Sequence, residues 1–364
     1  MIHYLVCCKY SPSSAVCNRI RLFGKGFEEI GYKIEIHYLD FGQSRLRKLI
    51  ALIKHTVGIF QLTSKLSKKD VLIIYGETPL TFLYSYISRC TNFLIEKTEF
   101  PLHLIIKDLP FFTYQRSLRN LNSYHKAAGL ITCSTALKSY FSQYNHEIFI
   151  SPLIVDLDEF SVPQKLEKPI HDQYIAYCGS LNNNKDGVPT LIRSFEKFHA
   201  LYKDVKLVII GPGSQNSIDE LNNIIKDKGL SDAVILTGPI PHEELSKWLN
   251  NAIMLTLARP NNKQAEGGMP SKVGEYLATG VPCVITNVGD LHIYLKDGRD
   301  CYMADPDSVD SFTDKMLQCY RSDNTVLVEN ARKTVQQFDC RVQAGNLLDY
   351  LVKTFPQADL KNNG

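Results

Sequence analysis

The second half of the chain repeats one unit of pattern: a short apolar run, then a polar stretch with helical spacing. The runs are Tyr174–Cys178, Lys206–Ile210, Val234–Leu236, Met254–Leu257, Val281–Thr286 and Cys301–Met303. Apolar strands without polar alternation are buried on both faces, and strands separated by helices run parallel, so this half predicts a doubly wound α/β domain. The first half repeats the pattern at Ile2–Cys8, Lys33–Leu39, Val71–Tyr75, Leu104–Ile106 and Gly129–Cys133, with helical sequence over Asn18–Ile30 and after a capping Ser134. At 364 residues the chain is long enough for two such domains. Pro152–His171, rich in proline and charge, reads as their connection. The expected division is 1–155, 156–340, and a C-terminal helix and tail over 341–364 that packs back on the first domain.

Composition narrows the function by exclusion. With 44% hydrophobic and 22% charged residues and a net charge of +3, nothing marks a nucleic-acid partner. No apolar run reaches about 18 residues, which argues against a membrane span. No leader precedes the first strand, so the expected location is cytoplasmic. The ten cysteines lie mostly in apolar segments and form no CxxC pair, which favours reduced, buried thiols over a structural zinc site.

In open parallel sheets ligands bind beyond the carboxyl ends of the strands. Three second-half loops there have suitable chemistry. In Glu266-Gly267-Gly268-Met269-Pro270-Ser271-Lys272-Val273-Gly274-Glu275, two glycines allow close backbone approach and Pro270 suits a helix start. The amides of that first turn favour an anion. Lys272 adds a mobile positive charge, and Glu275, a turn further on, offers a carboxylate to sugar hydroxyls. Gly280 and Pro282 stop the helix. Gly179-Ser180-Leu181-Asn182-Asn183-Asn184-Lys185-Asp186-Gly187 offers a second glycine-and-lysine loop, and a plain polar turn explains its composition as well. Gly211 and Gly238 close the following strands, with Ile240 just beyond.

Glu275-Tyr276-Leu277-Ala278-Thr279-Gly280-Val281-Pro282 resembles the second half of the nucleotide-sugar motif of glycosyltransferase family 4. The resemblance covers the second domain and the hinge Ser151–Phe160, and only thinly the first domain. It implies a GT-B fold, two Rossmann-like domains facing each other across a cleft. The implied activity is retaining transfer of a sugar from a nucleoside-diphosphate donor to an acceptor hydroxyl, such as a glycan or a lipid-linked saccharide. Under it Lys185, Lys272 and Glu266 are the candidate catalytic groups. Gly179, Ser180, Gly211, Gly238, Ile240, Gly267, Gly268, Met269, Pro270, Ser271 and Glu275 would hold the donor. Two departures stand out. Ser180 replaces the family's arginine, and eight residues, not seven, separate Glu266 from Glu275. Lys272 is expected to supply part of the missing charge.

No cofactor or metal is expected. Asp156-Leu157-Asp158 and Asp305-Pro306-Asp307 match a metal-binding pattern of another glycosyltransferase fold, but the first lies in the hinge and the second precedes a helix capped by Ser308. In the first domain Glu96–Pro101 is the best acceptor-side cluster, with Glu99 and His103 as candidates; a packing role for His103 is the simpler reading. Arg45–His55 places Leu46, Leu49, Ile50 and Ile53 on one helical face, the pattern of a helix covering the sheet and also of peripheral contact with the inner face of a membrane. Two competing functions remain: a GT-B sugar-nucleotide epimerase, and a sugar-nucleotide-binding protein without transfer.

Overall fold

The computed structural model describes residues 1–7, 10–11, 14–39, 45–76, 81–106, 110–160 and 167–360; the side chains of residues 45–51, Asn183 and His242 also lie outside the description. The chain forms two compact units, Met1–Ile154 with Phe338–Gly364, and Val155–Gln337. Residues 161–166 of the expected connection fall outside the described residues, as do Lys9, Pro12 and Ser13 of the loop after the first strand.

The first unit holds β1 (Ile2–Val6), β2 (Ile34–Tyr38), β3 (Val71–Tyr75), β4 (Asn92–Lys97), β5 (Gly129–Thr132) and β6 (Ile148–Ile150), in the parallel order β2-β1-β3-β4-β5-β6. Its core joins Tyr4 of β1 to Phe23 and Phe27 of the helix Ala15–Glu29, and to Ala344, Leu347 and Leu351 of the helix Cys340–Thr354. A Cβ on Gly26 would lie 2.1 Å from the Cys340 carbonyl oxygen, so only glycine permits this helix contact. A buried ion pair fixes the sheet interior: Arg19 Nε meets Glu96 Oε1 at 2.7 Å, and the Tyr4 hydroxyl donates to Glu96 Oε2 at 2.9 Å.

One expected strand is not a strand. Leu104–Ile106 lies in and just after a helical turn, Leu102–Ile105, entered from Pro101, and the sheet position is filled by Asn92–Lys97. Burial explains the exchange: Phe93, Leu94 and Ile95 are fully covered, while Leu102, Leu104 and Ile106 remain 37–47% exposed. The basic segment does form a helix, Arg45–Thr63. Leu46, Leu49 and Ile50 lie outside the described side chains; further along, Ile59 is buried and Ile53 is 60% exposed. Among the described residues no helix is long and apolar enough to cross a membrane.

The second unit holds β7 (Gln173–Cys178), β8 (Val205–Ile210), β9 (Val234–Gly238), β10 (Met254–Leu257), β11 (Cys283–Thr286) and β12 (Tyr302–Ala304). The order is β12-β11-β10-β7-β8-β9, all parallel. Chain direction across the sheet therefore reverses between β7 and β10. The loops leaving these two strands open the crevice where such sheets take ligands.

Candidate functional site

Three glycines meet at the carboxyl ends of β7, β8 and β9. The Gly179 amide donates to the Ile210 carbonyl at 2.8 Å, and the Gly211 amide to the Gly238 carbonyl at 3.0 Å. Gly211 has φ +139°, and a Cβ there would lie 1.9 Å from the Gly179 carbonyl oxygen. Gly179 has no room either: its Cβ would fall 2.1 Å from Lys272 Cε and 2.5 Å from the Tyr177 hydroxyl. Backbone and lysine stem are thus pressed together at the strand ends, and Lys272, from the helix Ser271–Thr279, is the side chain that crosses them.

Asp186 sits at the centre of the charge arrangement. Its Oδ2 accepts from Lys272 Nζ at 2.7 Å and from the Tyr177 hydroxyl at 2.9 Å, and its Oδ1 is 3.4 Å from Arg259 Nε. The Asp186 side chain is 1% exposed, Arg259 5% and Lys272 21%. Burial acts most strongly on Asp186 and would raise its pKa, yet the Lys272 and Arg259 charges and the hydrogen bonds hold it below the ordinary value. Gly187, at φ +70°, lets this loop pass β10, since a Cβ would lie 1.7 Å from the Ala258 carbonyl oxygen.

Arg259 is buried with donors to spare. Among the described residues its Nε and Nη1 have no hydrogen-bond partner. A Cβ on Gly268 would lie 3.6 Å from Nη1 and 3.7 Å from Nη2, so the guanidinium abuts the glycine loop. Two cations meet one carboxylate in this cluster, and unsatisfied buried donors favour an anionic partner.

The loop before Lys272 is ordered by its own short helix, Lys263–Gly267, whose cap Asn262 accepts from the Ala265 amide at 2.9 Å. Gly267 closes that helix, and Gly268 and Met269 bridge to Pro270, the N-cap of Ser271–Thr279, which has no side-chain cap. Gly289, at φ +56°, backs the loop: its Cβ would lie 2.8 Å from the Ala265 carbonyl oxygen and 3.5 Å from that of Gly268. Glu266 faces outward and pairs with Lys263 at 2.8 and 2.9 Å, both side chains nearly half exposed.

Glu275 is half-buried on the same helix as Lys272. Its neighbour Tyr276 is fully buried and accepts from the Cys178 amide at 2.9 Å, which anchors the helix to the end of β7. Burial, and then the Glu275 charge, raise the Cys178 thiol to about 12 against the opposing Lys272. Lys185 is half-buried at the end of the turn Asn182–Asn184, and Asn182 Oδ1 accepts from the Ser214 amide at 2.7 Å, tying that turn to the loop after β8. Ser180 contributes its carbonyl to the Tyr177 hydroxyl at 3.0 Å. Gly238 has φ +69°, and Ile240 is half-buried two residues on.

The structure therefore gathers Gly179, Gly211, Gly238, Gly268 and Lys272 at one end of the second sheet, and sets Glu266 against Lys263. In the first unit His103 Nδ1 lies 3.1 Å from Ser117 Oγ, with its ring edge-on to Tyr114, while Glu99 is exposed. Sequence reasoning passed over Arg259 and treated Asp186 as a turn residue. The available signal was Ala258-Arg259-Pro260, a cation immediately after the strand Met254–Leu257.

Residues 172–322 match the family model described as glycosyl transferases group 1. The D-inositol 3-phosphate glycosyltransferase of Paenarthrobacter aurescens is 29% identical over 117 residues, 32% of this chain and 28% of that protein. The GDP-mannose-dependent alpha-(1-6)-phosphatidylinositol monomannoside mannosyltransferase of Mycolicibacterium smegmatis is 26% identical over 169 residues, 44% of this chain and 43% of that one. The chain thus spans less than half the length of the curated relatives it matches. Among solved structures, sucrose-phosphate synthase from Thermosynechococcus elongatus aligns with TM-score 0.78 at 13% identity, over 98% of this chain and 100% of that one. Anabaena Alr3699/HepE in complex with UDP and glucose aligns with TM-score 0.73 at 13% identity, over 97% and 100%. At these identities the likeness is one of fold.

Proposed function

We propose that this chain, whose residues 172–322 match the glycosyl transferases group 1 model and whose two parallel sheets have the GT-B fold, transfers a sugar from a nucleoside-diphosphate donor to an acceptor hydroxyl with retention of configuration. The observation that carries this reading is the Lys272–Asp186–Arg259 arrangement under the glycine crossing at the β7/β10 switch point. It supplies what a diphosphate needs: close backbone approach and fixed positive charge out of bulk water.

In this reading Lys272 and Arg259 together replace the arginine that Ser180 lacks, with Lys185 as the third cation. With the amides around Gly267, Gly268 and Met269 they oppose the charge that grows on the leaving diphosphate. Asp186 positions the two cations. Glu275 holds the ribose, the backbone from Gly238 to Ile240 borders the base, and Pro270 and Ser271 start the helix that presents its amide end. Glu266, exposed and paired with Lys263, reaches the donor sugar by exchanging that pair for sugar hydroxyls. Glu99 and His103 stay as acceptor-side candidates, and a glycan or lipid-linked saccharide is the proposed acceptor class. The UDP-bound neighbour and the GDP-mannose-dependent relative both have nucleoside-diphosphate ligands, which fits a diphosphate site here.

The test is product analysis. The full chain is incubated with UDP-, GDP- and ADP-sugars, with and without a pool of saccharide acceptors, and nucleoside diphosphate and sugar products are separated. Release of nucleoside diphosphate that rises with acceptor is the expected result. An epimerised donor without release, or no turnover of any donor, contradicts the reading.

A further inference from the structure

The first unit carries a second cluster that the proposed transfer reaction does not use. β1 and β2 pair in parallel with His3 opposite Glu35 and Leu5 opposite His37. Side chains alternate along a strand, so His3, Glu35 and His37 fall on one face of the sheet. Their polar atoms converge. His3 Nδ1 is 3.4 Å from Glu35 Oε2, His37 Nε2 is 3.8 Å from the same oxygen, and the two ring nitrogens are 3.5 Å apart.

We propose that His3 Nδ1, His37 Nε2 and Glu35 Oε2 form a binding site for a divalent first-row cation of the Zn²⁺ type. Three atoms at these separations share a point about 2.1 Å from each, which is the length of a Zn–N or Zn–O bond. Two imidazoles and one carboxylate are a donor set that such cations favour. Two facing ring nitrogens share at most one proton between them, whereas a cation accepts a lone pair from each.

The surroundings allow a three-ligand site with an open fourth position. A cavity of about 420 Å³ lies over the cluster, lined from the helix Arg45–Thr63 and the turn after it by Gly58, Leu62 and Lys65 among others. Among the described residues, and apart from the backbone of its own helix, no atom lies within 4 Å of where a Cβ on Gly58 would stand, which leaves space for a water or small anion. Among the described residues Lys65, exposed, and the Met1 ammonium are the opposing charges, the latter already paired with Asp70 at 3.0 Å. Glu35 therefore supplies the anion that faces the cation.

Placement separates this site from transfer. His3 is the second residue of β1, near the amino ends of the strands, while substrates of open parallel sheets bind at the carboxyl ends. β2 is the edge strand and its residues are only half-buried. A cation shared by His3 and the two β2 ligands clamps that edge to β1, so its effect is on the stability of the first unit.

The experiment uses the untagged full chain after treatment with a chelator. Cobalt(II) is titrated as an optical probe and Zn²⁺ is measured by competition, alongside the variants His37→Ala and Glu35→Gln, whose side chains are partly exposed and removable without opening the core. The expected result is one equivalent of cobalt with an intense low-coordinate visible spectrum, displaced by Zn²⁺, a higher melting temperature with Zn²⁺, and loss of all three in both variants. Uptake by the variants equal to that of the wild type, or no uptake by the wild type, overturns the proposal.

Discussion

Lys272→Met is expected to lower turnover with a nucleotide-sugar donor by about 10²–10³-fold, the effect of deleting one preorganised group that meets developing negative charge. Methionine keeps an apolar stem to lie against Gly179, so the packing at the strand ends is retained while the ammonium is lost. Arg259→Met is expected to act in the same direction, because its guanidinium is fixed beside Gly268 and among the described residues its Nε and Nη1 have no hydrogen-bond partner. The measurement is kcat under saturating donor, with a melting curve for each variant. If Lys272→Met retains wild-type kcat, the charge assignment at the switch point is wrong.

Asp186→Asn is expected to cost about 3–5 kcal/mol of stability, since it leaves buried Arg259 without its anion. For a domain of this class that is a fall of roughly 6–20 °C in melting temperature. The pH dependence has a definite sign. The folded carboxyl is held below its ordinary 3.8, so its contribution is fully present above that value and disappears as pH falls through the lower folded value. The gap between wild type and Asp186→Asn is therefore expected to be constant from neutral pH down to the unfolded value and to close only in stronger acid. Thermal denaturation across that range checks it, and equal stability of the two proteins at neutral pH would remove Asp186 from its central place.

The strands of the second unit were legible because each is an unbroken apolar run with glycine, proline or polar sequence at its ends. Leu104–Ile106 looked similar but stands between Pro101 and Pro110, where the chain makes a helical turn with its leucines exposed. Lys272 and Glu275 became candidates through local spacing on one helix. Arg259 was not, because its approach to Asp186 depends on β10 lying beside β7, an adjacency set by the strand order. The same limit hid His3, Glu35 and His37, which only the β1–β2 register brings together. Glu266 shows a third kind of limit. It lies in the short helix capped by Asn262, one turn on from Lys263, and its carboxylate pairs with that lysine.

The most direct test of the central claim, a nucleoside-diphosphate-sugar site at the end of the second sheet, is ligand-induced thermal stabilisation with UDP-, GDP- and ADP-sugars, measured on the wild type and on Glu275→Ala. At a ligand concentration about 100 times Kd the wild type is expected to melt about 5–10 °C higher with the sugar nucleotide of one base, and Glu275→Ala to lose most of that rise. No shift with any of the three classes, or the same shift in Glu275→Ala, would contradict the account.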